Sequence, residues 1–389
     1  MTSTRIWIAA LIAVSGLVYA CGSMSSAAGF DSNTRDPNGG ASDAGTGTPG
    51  LNPSQVPPPV DNAVILVHAA KSQSFRLCFM NELDGRPQPD SQVMPEANVV
   101  GVEVGSAVRL GPLKSSPGEV FLFDEPLIRA VYPQFGGAGA GPTCRNLLSS
   151  SNPLSKIAVS LGTIDTDLSH GVHLLVVRGC PANGPIQKFS VAECGASWDP
   201  AKGNLGITEL ELSGAVRPTN GTLPAQVVNL SQPLEGARAG RDVVISFGDL
   251  VTAGAKLETV TSNPPLFGGA APNQPAELAY PAADLGTYAT SGFRVQLVPN
   301  GDGGAPAPTT VLDQSLVAIQ VLSSPRDVPP SYYAAASNYA LLMLGDPNAK
   351  LGDGGADSDE RRQLHFLAVA VIETKPDAGA PRDGGRPIK

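Results

Sequence analysis

Beyond its first 20 residues the chain has no apolar run long enough to cross a bilayer as a helix, which takes about 20 consecutive apolar residues. Any hold on a membrane must therefore come from elsewhere. Aromatic residues are 5% of the chain, too few for the dense stacking platform that carbohydrate recognition often uses. There is no basic run and no basic-aromatic stripe to neutralise phosphates, which argues against nucleic acid as a partner. Gly-x-Ser-x-Gly, Ser-x-x-Lys and His-Glu-x-x-His are absent, and each of those spacings aligns a nucleophile with its base or metal. Their absence weakens an enzymatic reading but does not exclude one, because triads built from distant segments leave no local trace.

Turn-forming residues are abundant: 44 Gly and 36 Pro, beside 42% hydrophobic and 16% charged residues. That balance suits a globular chain with many turns and few long helices.

The N-terminus carries a distinctive pattern. One positive charge at Arg5 precedes an apolar stretch from Ile6 to Val18, broken only by Ser15 and Gly16, of the length of a secretory h-region. Val18-Tyr19-Ala20 then leads into Cys21. This resembles the lipobox of bacterial lipoproteins, a Leu or similar residue and two small residues before the Cys, with Tyr19 bulkier than the residue usual there. The resemblance implies a signal peptide at 1–20, acylation of Cys21 with palmitate-type chains, and anchoring in the bacterial cell envelope, at the outer membrane, with the folded part outside the cytoplasm. An ordinary secretory peptide with an incidental cysteine is the alternative.

Without the signal, 25 basic residues face 35 acidic ones, a net charge of −10. Such acidity opposes attraction to anionic lipids, so the expected membrane partner is the bilayer held through acylated Cys21 alone. The other four cysteines, Cys78, Cys144, Cys180 and Cys194, are an even number in a chain bound for an oxidising compartment. Three connectivities are open; the preferred one joins Cys180 to Cys194 across a short loop and Cys78 to Cys144. Zinc is disfavoured, since no pair has the two-to-four-residue spacing of structural sites.

Residues 21–60 are rich in Gly, Ser, Ala, Asp, Asn and Pro without apolar periodicity, which predicts a flexible tether spanning about 35 Å. Residues 375–389 read as a disordered tail. In between, short apolar runs alternate with Gly, Pro, Asn and Asp, the pattern of many short strands. The runs from Ala63 to Leu212, including Lys188 to Ala192, are followed by a second series from Gln226 to Ile372, including Leu316 to Leu322. Val64 to Ala70 matches the character of Gln226 to Ser231, and Leu174 to Pro181 that of Ala340 to Pro347, at offsets of 161 and 166 residues. The expected fold is all-β: two tandem antiparallel β-sandwich domains of Ig-like or Greek-key type, at 61–220 and 221–374. Val67-His68-Ala69 on a first strand, and a late apolar strand closing at a Gly-x-Pro turn, resemble the extracellular β-sandwich domain of unknown function family 4397 of bacterial surface proteins. That likeness implies a fold and a surface location, and no catalytic residue.

The candidate chemistry is sparse. His170 and His173 would face opposite sides of an extended segment, which argues against joint metal ligation, while His68 and His365 sit in apolar runs as hydrogen-bonded core or edge residues. Gly136 to Gly141 lacks the following helix and Lys of a phosphate cradle. Asp357 and Asp359, within Asp353 to Glu360, are weak calcium candidates, with Asn300 to Asp302 a shorter version, and a solvated hairpin loop is the plainer reading. Trp198 could stack on a sugar or cover one end of a sandwich. No cofactor is implied. The expectation is a non-enzymatic binding, adhesion or structural module with a protein or polysaccharide partner in the envelope; the alternatives are an envelope hydrolase acting on polysaccharide or peptidoglycan, and a calcium-dependent ligand-binding module.

Overall fold

The computed structural model describes residues 63–371 except 84–85, 90–92, 96–100, 111–112, 114–116, 134–141, 185–186, 213–221, 235–240, 261–275, 280–284, 300–306, 323–331, 334–337 and 350–359. The expected signal, tether and tail lie outside these residues. The first half supplies β1 (Ala63–His68), β2 (Phe75–Leu83), β3 (Arg86–Pro89), β4 (Ala107–Leu110), β5 (Gly118–Asp124), β6 (Val159–Ile164), β7 (Val172–Arg178) and β8 (Gly206–Glu211). They form two sheets, ordered β4-β1-β7-β8 and β3-β2-β5-β6. The second half supplies β9 (Thr222–Asn229), β10 (Arg241–Asp249), β11 (Glu258–Val260), β12 (Ala276–Ala279), β13 (Ser291–Pro299), β14 (Thr309–Ser315), β15 (Gln320–Val321), β16 (Asn338–Leu344) and β17 (His365–Val371). Their sheets run β12-β9-β16-β17-β15 and β11-β10-β13-β14.

The two halves share one wiring. β1 lies antiparallel to β4 and parallel to β7, as β9 lies antiparallel to β12 and parallel to β16. His68 stands opposite Val177, and Asn229 opposite Met343, pairs separated by the same offsets, 161 and 166, at which the sequence repeats. Only β15, parallel to β17, has no counterpart among the described strands of the first half. Gly179 and Gly345 take equivalent places at the ends of β7 and β16, with φ of 93° and 88°. A Cβ there would overlap the carbonyl of Asn204 or of Gln363, so both the left-handed backbone and the close approach require glycine.

Each sandwich has its own core. Phe75, Leu77 and Phe79 project from β2 toward Leu66, Leu175 and Val177. In the other, Phe293 packs 4.9 Å from Phe247 and 5.2 Å from Phe366 between ring centroids. A third apolar layer joins them, where Val67, Leu174 and Val176 of one inner sheet meet Val228, Leu342 and Val369 of the other. The result is four stacked sheets in one compact unit. The central strands of the inner sheets are covered on both faces, which is why β1 and β16 are buried along their whole length and read as nearly continuous apolar runs.

Polar contacts rim this layer reciprocally. Lys71, after β1, pairs with Asp346, after β16, at 2.7 Å. Gln232, after β9, donates to the Cys194 carbonyl, between β7 and β8. Lys71 and Gln232 differ by the first repeat offset, and Asp346 follows Cys180, the disulfide partner of Cys194, by the second. Each half therefore reaches the other through the same two loops.

Three sequence expectations change. The inner sheets are mixed rather than purely antiparallel, since β1 runs parallel to β7, β9 to β16 and β15 to β17. Lys188 to Ala192 is not a strand: Ser190 and Glu193 form a reciprocal capping box that starts a short helix, Val191–Cys194. Leu316 to Leu322 is a 3-10 turn, Leu316–Ala318, followed by the two residues of β15. Outside the first sandwich, α1 (Glu125–Val131), α2 (Cys144–Leu148) and a 3-10 turn at Pro153–Lys156 cover the sheet containing β2, around Cys78, Phe123, Ile128, Leu147 and Leu154.

Candidate functional site

Disulfides join Cys78 to Cys144 and Cys180 to Cys194, the pairings preferred from spacing. The first staples α2 to β2, and the second closes the loop between β7 and β8. Trp198 lies over this second bridge with Phe189, 7% exposed, its indole N–H donating to the Pro181 carbonyl at 3.0 Å. Its ring is therefore withdrawn from any sugar.

Three of the four histidines, His68, His173 and His365, have their rings bonded within the fold, while His170 is exposed. His68 Nδ1 lies 3.1 Å from the Val102 carbonyl and Nε2 lies 3.0 Å from Ser72 Oγ. Since a carbonyl only accepts, Nδ1 carries the proton and the Ser72 hydroxyl donates to Nε2. Burial pushes the pKa of His68 down to about 3, so the ring is neutral. A hydroxyl facing an imidazole nitrogen begins a Ser–His nucleophile arrangement. Here the ring is 0% exposed and is oriented by a backbone carbonyl, so the pair is enclosed in the core against Phe75.

His173 sits between two acceptors, Glu209 Oε1 at 2.7 Å and the His170 carbonyl at 2.6 Å. His170, exposed in the turn before β7, contributes its backbone carbonyl to this arrangement. His365 likewise spans the carbonyls of Gln363 at 2.7 Å and Gly105 at 2.8 Å, the latter in the other half, beside an ion pair of Arg361 with Glu103. Among the described residues, no group of three or more His, Cys, Asp or Glu is placed to hold a metal. Asp357, Asp359, Asn300, Asp302, Gly136 to Gly141 and Cys21 lie outside the described residues.

No protein-family model matches the chain, and no curated protein is similar to it.

Two features escaped the sequence reading. One is a buried ionic triad. Arg76, on the face of β2 away from the sandwich core, has a side chain with no exposure; it donates to Glu125 Oε1 at 3.1 Å and to the Pro95 carbonyl at 2.6 Å. Arg129, one helical turn after Glu125, binds the same oxygen through Nε at 2.7 Å and a terminal nitrogen at 2.6 Å. Desolvation lowers the pKa of Arg76, and the Glu125 carboxylate opposes that shift. A Cβ on Gly101 would overlap the Glu125 carboxyl, so the pocket closes on it. The Asp124-Glu125-Pro126 step with Arg129 four residues on was a legible helix start; that it covers Arg76 was not.

The other is a cleft of about 290 Å³ in the second sandwich, lined by Gln314, Gln320, Gln363, Arg361 and His365 together with Leu312, Ala318 and Leu364. Gln314 is already committed, donating to the Ala318 carbonyl at 2.9 Å and accepting from the Phe366 N–H at 2.7 Å. The cleft can accommodate a small polar ligand but presents no nucleophile.

Proposed function

We propose that the chain is a membrane-anchored bacterial envelope lipoprotein, acylated on Cys21, whose stacked sandwiches serve as a non-enzymatic binding, adhesion or structural module. The observation that carries this reading is the pairing of the other four cysteines into two disulfides, which fits export to an oxidising compartment and leaves Cys21 as the odd thiol. The four-layer body supports a presenting role, since His68, His173, His365 and the buried ion pairs serve the fold. The partner is a protein or polysaccharide of the envelope. Among the described residues no helix is long and apolar enough to cross a membrane, so this reading assigns attachment to the acyl chains. Metabolic labelling with radioactive palmitate tests it: wild-type chain takes up label and Cys21→Ser does not. Equal labelling of the two would refute acylation at that thiol.

A further inference from the structure

The chain is acidic as a whole, with a net charge of −9, yet from residue 125 to residue 158 its only acidic side chain is Glu125, against Arg129, Arg145 and Lys156. Glu125 is buried and already bonded to Arg76 and Arg129. The described residues of this stretch build the layer over the outer face of the first sandwich. Asn152 makes the layer continuous, donating to the Tyr132 hydroxyl after α1 at 2.8 Å and to the Asn146 carbonyl in α2 at 2.9 Å. The Cys78–Cys144 bridge fixes it to the sheet beneath.

On that layer Leu127 and Val131, four apart on one face of α1, are 42% and 44% exposed, and Ile157, at the end of the 3-10 turn, is 50% exposed. Three of the six large apolar side chains exposed among the described residues thus belong to the same layer as exposed Arg145 and Lys156, and as Arg129, which is paired with Glu125. Apolar side chains interleaved with cations on a rigid surface are the composition that enters a lipid headgroup region, the cations meeting phosphates and the apolar groups reaching the acyl boundary. The occupant is also within reach. At about 3.5 Å per residue, the chain between Cys21 and β1 extends to at most about 140 Å, enough for any face of the body to meet the membrane that holds the acyl chain.

We propose that this cap layer is a second membrane contact, docking on anionic lipid headgroups through Arg145 and Lys156 with Leu127, Val131 and Ile157 entering the interface. The inference deepens the lipoprotein reading and is tested without the acyl group. The chain from residue 22 onward keeps every described strand, both disulfides and all the apolar clusters, and lacks both the signal's apolar run and Cys21.

It should float with vesicles of phosphatidylethanolamine and phosphatidylglycerol, and less with phosphatidylcholine vesicles. Each basic residue near an anionic surface contributes about fivefold in partition. Arg145→Gln with Lys156→Gln should therefore lower binding about 25-fold, and Leu127→Ser with Val131→Ser should lower it on either vesicle. All four positions are exposed, so circular dichroism and free-thiol assays should match wild type. No flotation of the wild-type chain, or equal flotation of wild type and both variants, overturns the proposal. Failed palmitate labelling would instead overturn acylation and leave this result standing.

Discussion

Removing the Glu125 carboxylate should be among the most damaging single changes to this fold, and removing its partner with it should repair most of the damage. In Glu125→Ala the Arg76 guanidinium, with a fully enclosed side chain, keeps the Pro95 carbonyl as a partner and loses its counter-charge. Breaking a buried pair from one side costs about 3 to 5 kcal/mol. With a urea m-value of about 3 kcal/mol/M for a body of this size, a loss of about 4 kcal/mol moves the unfolding midpoint down by about 1.3 M. Arg129→Ala removes a partner whose side chain is 46% exposed and should cost about 1 kcal/mol or less. The double change Arg76→Met with Glu125→Leu replaces both charges with apolar groups of similar length and should recover to within about 1 kcal/mol of wild type. Equilibrium urea unfolding at neutral pH, with the disulfides intact, reads all three. If Glu125→Ala costs less than Arg129→Ala, or the double change costs as much as the single one, the assignment of Arg76 as an enclosed charge is refuted.

Other expectations are equally specific. Because His68 is neutral when folded and its pKa is lowered to about 3, the unfolded chain binds the extra proton below about 6.5; stability is fully present above that pH and falls on acidification toward 3, by up to about 1.4 kcal/mol per pH unit. Urea midpoints between pH 7 and pH 4.5 should show this slope in wild type and a shallower one in His68→Gln; identical slopes would contradict it. Replacing Cys78 and Cys144 by Ser opens a closure of 66 residues and should cost about 4 kcal/mol; opening the 14-residue closure of Cys180 and Cys194 should cost about 3, measured as midpoint shifts against wild type. Gly179→Ala and Gly345→Ala should each cost about 1 to 3 kcal/mol, since each combines a left-handed backbone with a blocked Cβ. A neutral effect at either glycine would argue that its turn can relax.

Much of the architecture was legible because the inner strands announce themselves. Ala63 to Val67 and Tyr339 to Leu344 are unbroken apolar runs, and the likeness of each to a run in the other half, Gln226 to Ser231 and Leu174 to Pro181, falls on strands with equivalent pairing. Edge strands were harder to read. β4 is four residues with an exposed Arg109, and β14 runs Thr-Thr-Val-Leu-Asp-Gln-Ser with mixed polarity, because an edge facing solvent needs no apolar pattern. The stacking of the two inner sheets was signalled by the same continuous runs, which half-buried strands of an isolated sandwich would not show. The burial of Arg76 was not legible, because alternation in β2 points it outward and only the later segment from Glu125 makes that outward face interior. The histidines could be sorted only when their partners were visible, since sequence does not say whether a ring faces a hydroxyl or two carbonyls.

The reciprocal seam between the halves has a consequence for how such a chain could have arisen. A single sandwich with Val67, Leu174 and Val176 on an open sheet face would leave a large apolar surface in water, and the same two loops on a second copy could satisfy it by a two-fold self-association. As separate subunits, that assembly would dissolve on dilution. Joined end to end, the copies face each other at any protein concentration, down to a single molecule per cell. Fusion would also free them to differ: one half carries two disulfides and a cap layer that have no counterpart among the described residues of the other.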